Sequence, residues 1–281
     1  MSNASRVSVV VCSKNSSKML RPCLDSIVDN QPGEIIFIDG NSTDNSLAIV
    51  ASYGNIKIYS DQGLGLSSAR KLGVYHAKKD YILFVGPDNI LESSFIENLV
   101  VQINKSPYDA VTVQTRIQNP QSFWDFGADL KWKYLMDKPG DRKVIGTPTL
   151  YSKRFLEIVN YSSEDLGPCD DTDIGYRAEK AGLRLGLVGQ TIYEQNGFDF
   201  KSTFKRYKWY GSGDYYFYKK YCSTWSFSRR IQSISHPLRQ CLKYSALAIK
   251  DGKSLYILWF IITAASRYYG WISTLLRGTK S

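Results

Sequence analysis

The sequence predicts an α/β protein: a mainly parallel sheet flanked by helices, extended at the C-terminus by a basic, aromatic-rich and mainly helical region. Two observations carry this. Short β-rich runs alternate with helical periods throughout the first half, and charge and aromatic content change abruptly near residue 200. With 281 residues, 43% of them hydrophobic and 22% charged, the chain can bury a sizeable core, so disorder is a poor description.

The elements follow in order. "VSVVVC" (7–12) reads as a buried strand, and "SSKMLRPCLDSIVDN" after it places Met19, Leu20, Cys23, Leu24, Ile27 and Val28 on one helical face. "EIIFID" (34–39) is a strand, residues 42–54 a helix capped by Ser42 or Thr43 and ended by Gly54, and "IKIYS" (56–60) a strand. A helix over 67–79 and the strand "YILFV" (81–85) complete a β-α-β-α-β-α-β series, which implies parallel strands covered on both faces. Further on, 110–115 reads as a strand, 122–136 as a helix, and 146–159 as a strand edge followed by a helix. Residues 170–180 form a helix stopped by Gly182, and "LRLGLV" is a strand.

In such sheets ligands sit beyond the carboxyl ends of the strands. That places Ser13, Asn15, Asp39, Asp61 and Asp88 on one rim, where several carboxylates are costly unless a cation or a donor-rich ligand meets them. Asp88 in "VGPDN" is open to two readings, a turn residue or a carboxylate held out for a ligand. No G-x-x-x-x-G-K-[ST] occurs, and "GLGLSS" (63–68) falls short of a dinucleotide fingerprint; it reads as a flexible turn over the rim. Asp170, Asp171 and Asp173 crowd a helix start. Dipole and capping chemistry would need one of them, which leaves room for a general base.

The formal net charge is +10, and it is uneven: residues 1–200 carry 21 Lys+Arg against 24 Asp+Glu, whereas 201–281 carry 15 against 2. Eighteen of the 38 aromatic residues fall in that last stretch. Basic residues interleaved with Trp and Tyr suit an anionic membrane surface, or less well a nucleic acid. The apolar run at 255–265 is too short to span a bilayer unless it continues past Arg267 to Leu276. An interfacial helix with Trp259, Tyr268, Tyr269 and Trp271 at the headgroup level is the favoured reading, and a core helix remains open. Five cysteines without paired spacing, two isolated histidines and no signal peptide point to reduced thiols, no zinc site and a cytoplasmic setting, peripheral on the membrane.

Taken in order, "VSVVVCSKN", "EIIFIDGNSTDNS", "GLSSARKLGV", "YILFVGPDNIL" and "CDDTDIGYRAEKAGLRL" resemble the motifs of the inverting glycosyltransferases of family 2, which have the Rossmann-like GT-A fold. The resemblance covers roughly residues 6–195. It implies a GT-A domain at 1–200 and a membrane-associating helical region at 201–281. It implies a nucleoside-diphosphate-sugar donor, UDP by default, and a glycan or polyprenyl-linked acceptor. Asp39, with Ser13 and Asn15, would line the nucleoside pocket. Asp88 would hold the Mg²⁺ or Mn²⁺ of the diphosphate, Asp171 would be the base, and Asp170 stands where the family often has Glu. Two departures stand out: Gly86 replaces the first Asp of Asp-x-Asp, and Lys71 stands where Asn is common. Arg70 or Lys71 could then share the cation's work on the phosphates. A noncatalytic sugar-nucleotide-binding or glycan-binding protein and a nucleotidyltransferase are the alternatives; the latter lacks its glycine-rich loop after the first strand.

Overall fold

The computed structural model describes residues 2–161 and 167–278, which form two compact units. The first contains residues 2–118, 136–161 and 174–195; the second contains 119–135, 167–173 and 196–278.

The first unit repeats strand and helix: β1 (Val7–Ser13), α1 (Ser17–Asp29), β2 (Glu34–Asp39), α2 (Ser46–Ala51), β3 (Ile56–Ser60), α3 (Leu66–His76) and β4 (Tyr81–Val85). It continues with β5 (Asn89–Ile90), α4 (Phe95–Lys105) and β6 (Ala110–Ile117). After α5 (Phe123–Leu135) of the second unit come β7 (Gly140–Arg142), β8 (Thr149–Ser152), α6 (Lys153–Ile158), α7 (Asp170–Lys180) and β9 (Leu185–Glu194). One nine-stranded sheet results, in the order β3-β2-β1-β4-β8-β6-β9-β5 with β7 also on β9. It is parallel across β3, β2, β1 and β4 and between β6 and β9, and antiparallel where β5, β7 and β8 join.

Strand β1 is central and buried on both faces, which is why its sequence is apolar from Val9 to Cys12, and its buried Ser8 hydroxyl donates to Glu34. Val9 and Val11 join Leu20, Leu24 and Ile27 of α1 and the buried face of α4 in one core. Val10 joins Ala69 of α3, Phe155 of α6 and Ile174 of α7 in the other. A Cβ on Gly73 would overlap the Val10 side chain, so only glycine lets α3 lie this close to β1.

Two sequence expectations change here. The helix expected over 42–54 shrinks to α2, because residues 42–46 are tied by side chains instead: Ser42 N–H to Asp39, Thr43 N–H to Asn15 and Ser46 N–H to Asp44. The turn at 61–65 is pinned, since Gly63 and Gly65 donate to the two oxygens of Asp61 (2.8 and 3.0 Å), and both glycines have positive φ.

The second unit is helical: α5, the start of α7, α8 (Phe200–Tyr221), α9 (Phe227–Ile234), α10 (His236–Lys250) and α11 (Ile257–Gly278). Helices α8 and α11 touch backbone to backbone. A Cβ on Gly211 would overlap the Arg267 carbonyl, and one on Gly270 the Lys208 carbonyl. An Arg267–Asp214 ion pair crosses the same seam. Gly213, beside Asp214, packs on the turn before α7; a Cβ there would lie 2.6 Å from Pro168 and 3.0 Å from the Cys169 nitrogen.

This packing corrects the expected aromatic anchors. Trp259 is 1% exposed and set edge-on to Tyr207, Trp271 is edge-on to Tyr215, and the Tyr268 hydroxyl donates to the Ile234 carbonyl. Large rings supply apolar area to a small helical core, so these three pack against neighbouring helices, whereas Tyr269 stays 52% exposed. Among the described residues no helix is long and apolar enough to cross a membrane, and no two cysteines are joined.

Candidate nucleotide and acceptor sites

In the first unit the carboxyl ends of β1, β2 and β4 lie side by side. Ser13 ends β1 and is in register with Asp39 at the end of β2. Both are buried, at 7% and 4% exposure, yet Ser13 Oγ and Asp39 Oδ1 have no hydrogen-bond partner. The other Asp39 oxygen accepts from Ser42 N–H at 3.1 Å. Two unmatched buried polar atoms on neighbouring strands cost roughly 1–3 kcal/mol each until a ligand meets them. Asn15, exposed and at φ +54°, fastens the opposite loop: its N–H donates to Ser42 Oγ (3.0 Å) and its Oδ1 accepts from Thr43 N–H (2.8 Å). Asn15 therefore shapes the pocket wall. Asp61, bound to two glycine N–H groups, serves the turn.

Beyond β4 the chain turns through Gly86, Pro87 and Asp88. The turn is closed by Asn89, whose N–H donates to the Gly86 carbonyl (3.0 Å) and whose Oδ1 accepts from Gly86 N–H (2.9 Å). Asp88 is half-buried, and its carbonyl accepts from Gln195 N–H at the end of β9 (2.8 Å). A Cβ at position 86 would lie 2.6 Å from Asp88 Oδ1. The carboxylate of Asp88 thus occupies the space that a side chain at 86 would claim, which is a physical reason for glycine there. Below it, burial and the Asp88 charge push the Cys23 thiol well above its ordinary range, so Cys23 is an inert packing residue that donates to the Gly86 carbonyl.

Among the described residues no three carboxylate, histidine or cysteine side chains gather to hold a metal ion. Asp88 offers one carboxylate, which fits a divalent cation that brings phosphate and water as its remaining ligands. On α3 the two basic residues diverge. Arg70 is 7% exposed, bonds Thr147 Oγ1 and lies over the Phe84 ring, whereas Lys71 is half-buried one step round the helix.

The second unit holds the start of α7. Asp173 is fully buried and takes both Lys220 Nζ (3.1 Å) and the Tyr221 hydroxyl (2.6 Å). Asp170, 5% exposed, accepts from Asp171 N–H at 2.9 Å. Asp173 and Asp170 are buried, and Asp171 beside them is half-buried.

Sequence reasoning missed Asp125, a buried carboxylate in the same unit. Its Oδ2 accepts from Gln121 and Ser122 N–H (both 3.2 Å) and its Oδ1 from Gly197 and Phe198 N–H (3.0 and 2.8 Å). Ser122 Oγ accepts from Asp125 N–H, so Ser-x-x-Asp at 122–125 is a capping box. Burial raises the Asp125 pKa, but the four backbone donors outweigh it and hold the carboxyl below its ordinary value.

Comparison with known proteins agrees with this geometry. Residues 8–159 match the model of glycosyl transferase family 2. A cholesterol galactosyltransferase of Borreliella burgdorferi is 34% identical over 115 residues, 39% of this chain and 32% of that one. The glycosyltransferase GlyG of Streptococcus pneumoniae is 32% identical over 112 residues, 37% of each chain. The chain thus matches about a third of the length of these relatives. Among solved structures, the mannosyltransferase PcManGT of Pyrobaculum calidifontis, in complex with GDP-Man and Mn²⁺, superposes with a TM-score of 0.63 at 15% identity, over 96% of this chain and 87% of that one. S. aureus TarS 1–349 in complex with UDP-GlcNAc gives 0.56 at 16% identity, over 97% and 92%. These likenesses show the fold, a GT-A-like mixed sheet with helices. With the family model spanning more than half of its length, the chain belongs to glycosyl transferase family 2.

Proposed function

We propose that the protein is an inverting glycosyltransferase that moves a sugar from a nucleoside diphosphate sugar to a hydroxyl of a glycan or lipid-linked acceptor. The observation that carries this reading is the adjacent pair of unmatched buried atoms, Ser13 Oγ and Asp39 Oδ1. A nucleobase carrying an N–H beside a carbonyl would satisfy both, and Asn15 holds the loop that closes the pocket. Solved neighbours bound to UDP-GlcNAc and to GDP-Man support a nucleotide sugar, with UDP the first candidate.

Asp88 would hold an Mg²⁺ or Mn²⁺ ion together with the diphosphate; such an ion, when bound, offsets the charge that develops on the leaving group. Lys71 and Arg70 stand one turn and more into α3 as secondary sources of positive charge. The acceptor oxygen forms its bond to the anomeric carbon as the bond from that carbon to the diphosphate oxygen breaks. Asp171 takes the acceptor's proton, and the nucleoside diphosphate leaves with the electron pair. Attack opposite the leaving group inverts the configuration through an oxocarbenium-like transition state. Asp170, bonded to the Asp171 N–H, positions the base. In this reading residues 1–200 carry the transfer, and residues 201–281 bring the chain to a cytoplasmic membrane surface that presents the acceptor.

Calorimetric titration with UDP and GDP, in Mn²⁺ and in EDTA, tests the donor half. Binding of one nucleotide that is weakened at least tenfold by Asp39→Asn is expected. Equal affinity in the variant would remove Asp39 from the nucleotide site, and no binding of either nucleotide would overturn the reading.

A further inference from the structure

The second unit's last three helices have bare apolar faces. α10 buries Pro237, Cys241, Tyr244 and Ala248, yet leaves Leu238, Leu242 and Ile249 half or more exposed. α11 buries Trp259, Phe260, Thr263 and Ser266, yet leaves Leu258, Ile261, Ile272 and Leu276 about half exposed. α9 buries nothing; Phe227 is 79% exposed, and Ile231 and Ile234 follow at i+4 and i+7. The spacing within each helix puts the exposed residues on one face. Single exposed leucines are ordinary on any surface, but faces repeated on three successive helices are not.

The charge around these faces is one-sided. Arg229 on α9, Arg239, Lys243 and Lys250 on α10, and Arg277 on α11 are all exposed. The only acidic residues of 201–278, Asp214 and Asp251, are already paired with Arg267 and Lys133. The surface therefore carries an uncompensated positive field next to aliphatic side chains. Protein interfaces draw on Tyr, Trp and Met and are poor in Lys; here, Phe227 and Tyr269 apart, the bare residues are Leu and Ile beside Lys and Arg.

We infer that α9, α10 and α11 are docking helices that lie in the plane of an anionic lipid surface, each with its aliphatic face in the acyl boundary and its lysines and arginines among the headgroups. This rests on the proposed reading of the C-terminal region and names the elements that carry it. α11, about 33 Å long at 22 residues, is too polar to span and suited to lying flat. The anchors are chiefly Leu, Ile and Phe227; of the aromatic residues that the sequence alone suggested, Trp259 is buried and Tyr269 is exposed.

The test is partition of the full chain onto vesicles of equimolar phosphatidylglycerol and phosphatidylcholine, and onto pure phosphatidylcholine. Wild type should bind the anionic vesicles, with affinity falling as salt rises. Phe227→Ser with Leu242→Ser and Ile261→Ser should weaken partition at least tenfold. Arg229→Gln and Lys243→Gln should each weaken it about fivefold on the anionic vesicles alone. All five positions are exposed, and an unchanged melting temperature verifies the fold. Wild type that stays in solution, or a triple variant that partitions like wild type, overturns the inference. So does concentration-dependent dimerisation that the triple variant abolishes in the absence of partition, which would make the faces an interface between copies. Nucleotide titration without vesicles is read separately: its failure counts against the donor site and leaves the docking helices as they stand.

Discussion

Asp125→Asn is nearly isosteric, and the structure makes it severe. The carboxylate is 2% exposed and accepts four backbone N–H bonds, two at the start of α5 and two at the turn that leads into α8. An asparagine oxygen can keep one pair, but its amide group then points two hydrogens at the other two N–H donors. Losing two charge-assisted bonds and leaving two donors facing donors costs about 3 kcal/mol. At roughly 2–4 °C per kcal/mol for a chain of this size, the melting temperature should fall by about 6–12 °C. Asp199→Asn is the internal control. It weakens an exposed capping box at the start of α8, Asp199 with Ser202, and should lower the melting temperature less than Asp125→Asn does. The pH dependence adds a second arm. The Asp125 carboxyl titrates below its ordinary value, so its stabilisation is fully present above pH ~4 and is lost as the pH falls through the depressed folded value. The gap between wild type and Asp125→Asn should therefore narrow in strong acid. Calorimetric melting at neutral and acidic pH decides it. A variant that melts within 2 °C of wild type, or no lower than Asp199→Asn, would refute the clamp.

The remaining predictions concern the sites and one histidine. Gly86→Asp supplies the missing carboxylate of Asp-x-Asp but drives it into Asp88 Oδ1; Mn²⁺-dependent nucleotide affinity should fall about threefold to tenfold, and a gain would show that the site tolerates two carboxylates. Asp171→Asn should abolish transfer with nucleotide binding and melting unchanged, whereas Asp173→Asn, which takes the buried carboxylate from half-buried Lys220, should lower melting first; the reverse pattern would exchange their roles. Burial, reinforced by Arg267, lowers the His236 pKa to about 4. The unfolded chain takes that proton first, so stability is lost as the pH falls from about 6.5 towards 4, by about 2 kcal/mol at pH 5. His236→Gln should remove that part of the slope, and an unaltered pH profile would show that His236 is not the titrating group.

Much of the sheet was legible because burial wrote it into the residues. β1, β2 and β4 are mainly apolar along their middles since both faces are covered, and the polar residues at or just after their carboxyl ends mark the rim. Residues 42–45 have the composition of a helix start; what keeps them out of α2 are bonds to Asn15, 28 positions from Thr43, and to Asp39, three from Ser42. Asp125 was passed over because half its partners, Gly197 and Phe198, lie more than 70 positions along the chain. The sequence of α11 suits aromatic residues at a membrane belt as well as in a core, and no property of a single helix distinguishes its packed apolar side from its bare one. That distinction needs the neighbours, here α8 and α10.

The glycine seam between α8 and α11 has a further consequence. Arg267 of α11 is clasped by Asp214 of α8, and the adjoining Gly213 abuts Pro168 and Cys169, two residues ahead of Asp171. The joints are the close helix-to-helix backbone approach at Gly211 and Gly270, the ion pair, and the short side chains of Pro168 and Cys169 against Gly213. If α11 rests its aliphatic stripe on lipid as inferred above, and Asp171 is the base as proposed, that carboxylate would stand at a set height above the membrane. The protein would then act as a ruler, glycosylating hydroxyls carried at that elevation and passing over those held nearer to or farther from the bilayer, whatever their chemistry.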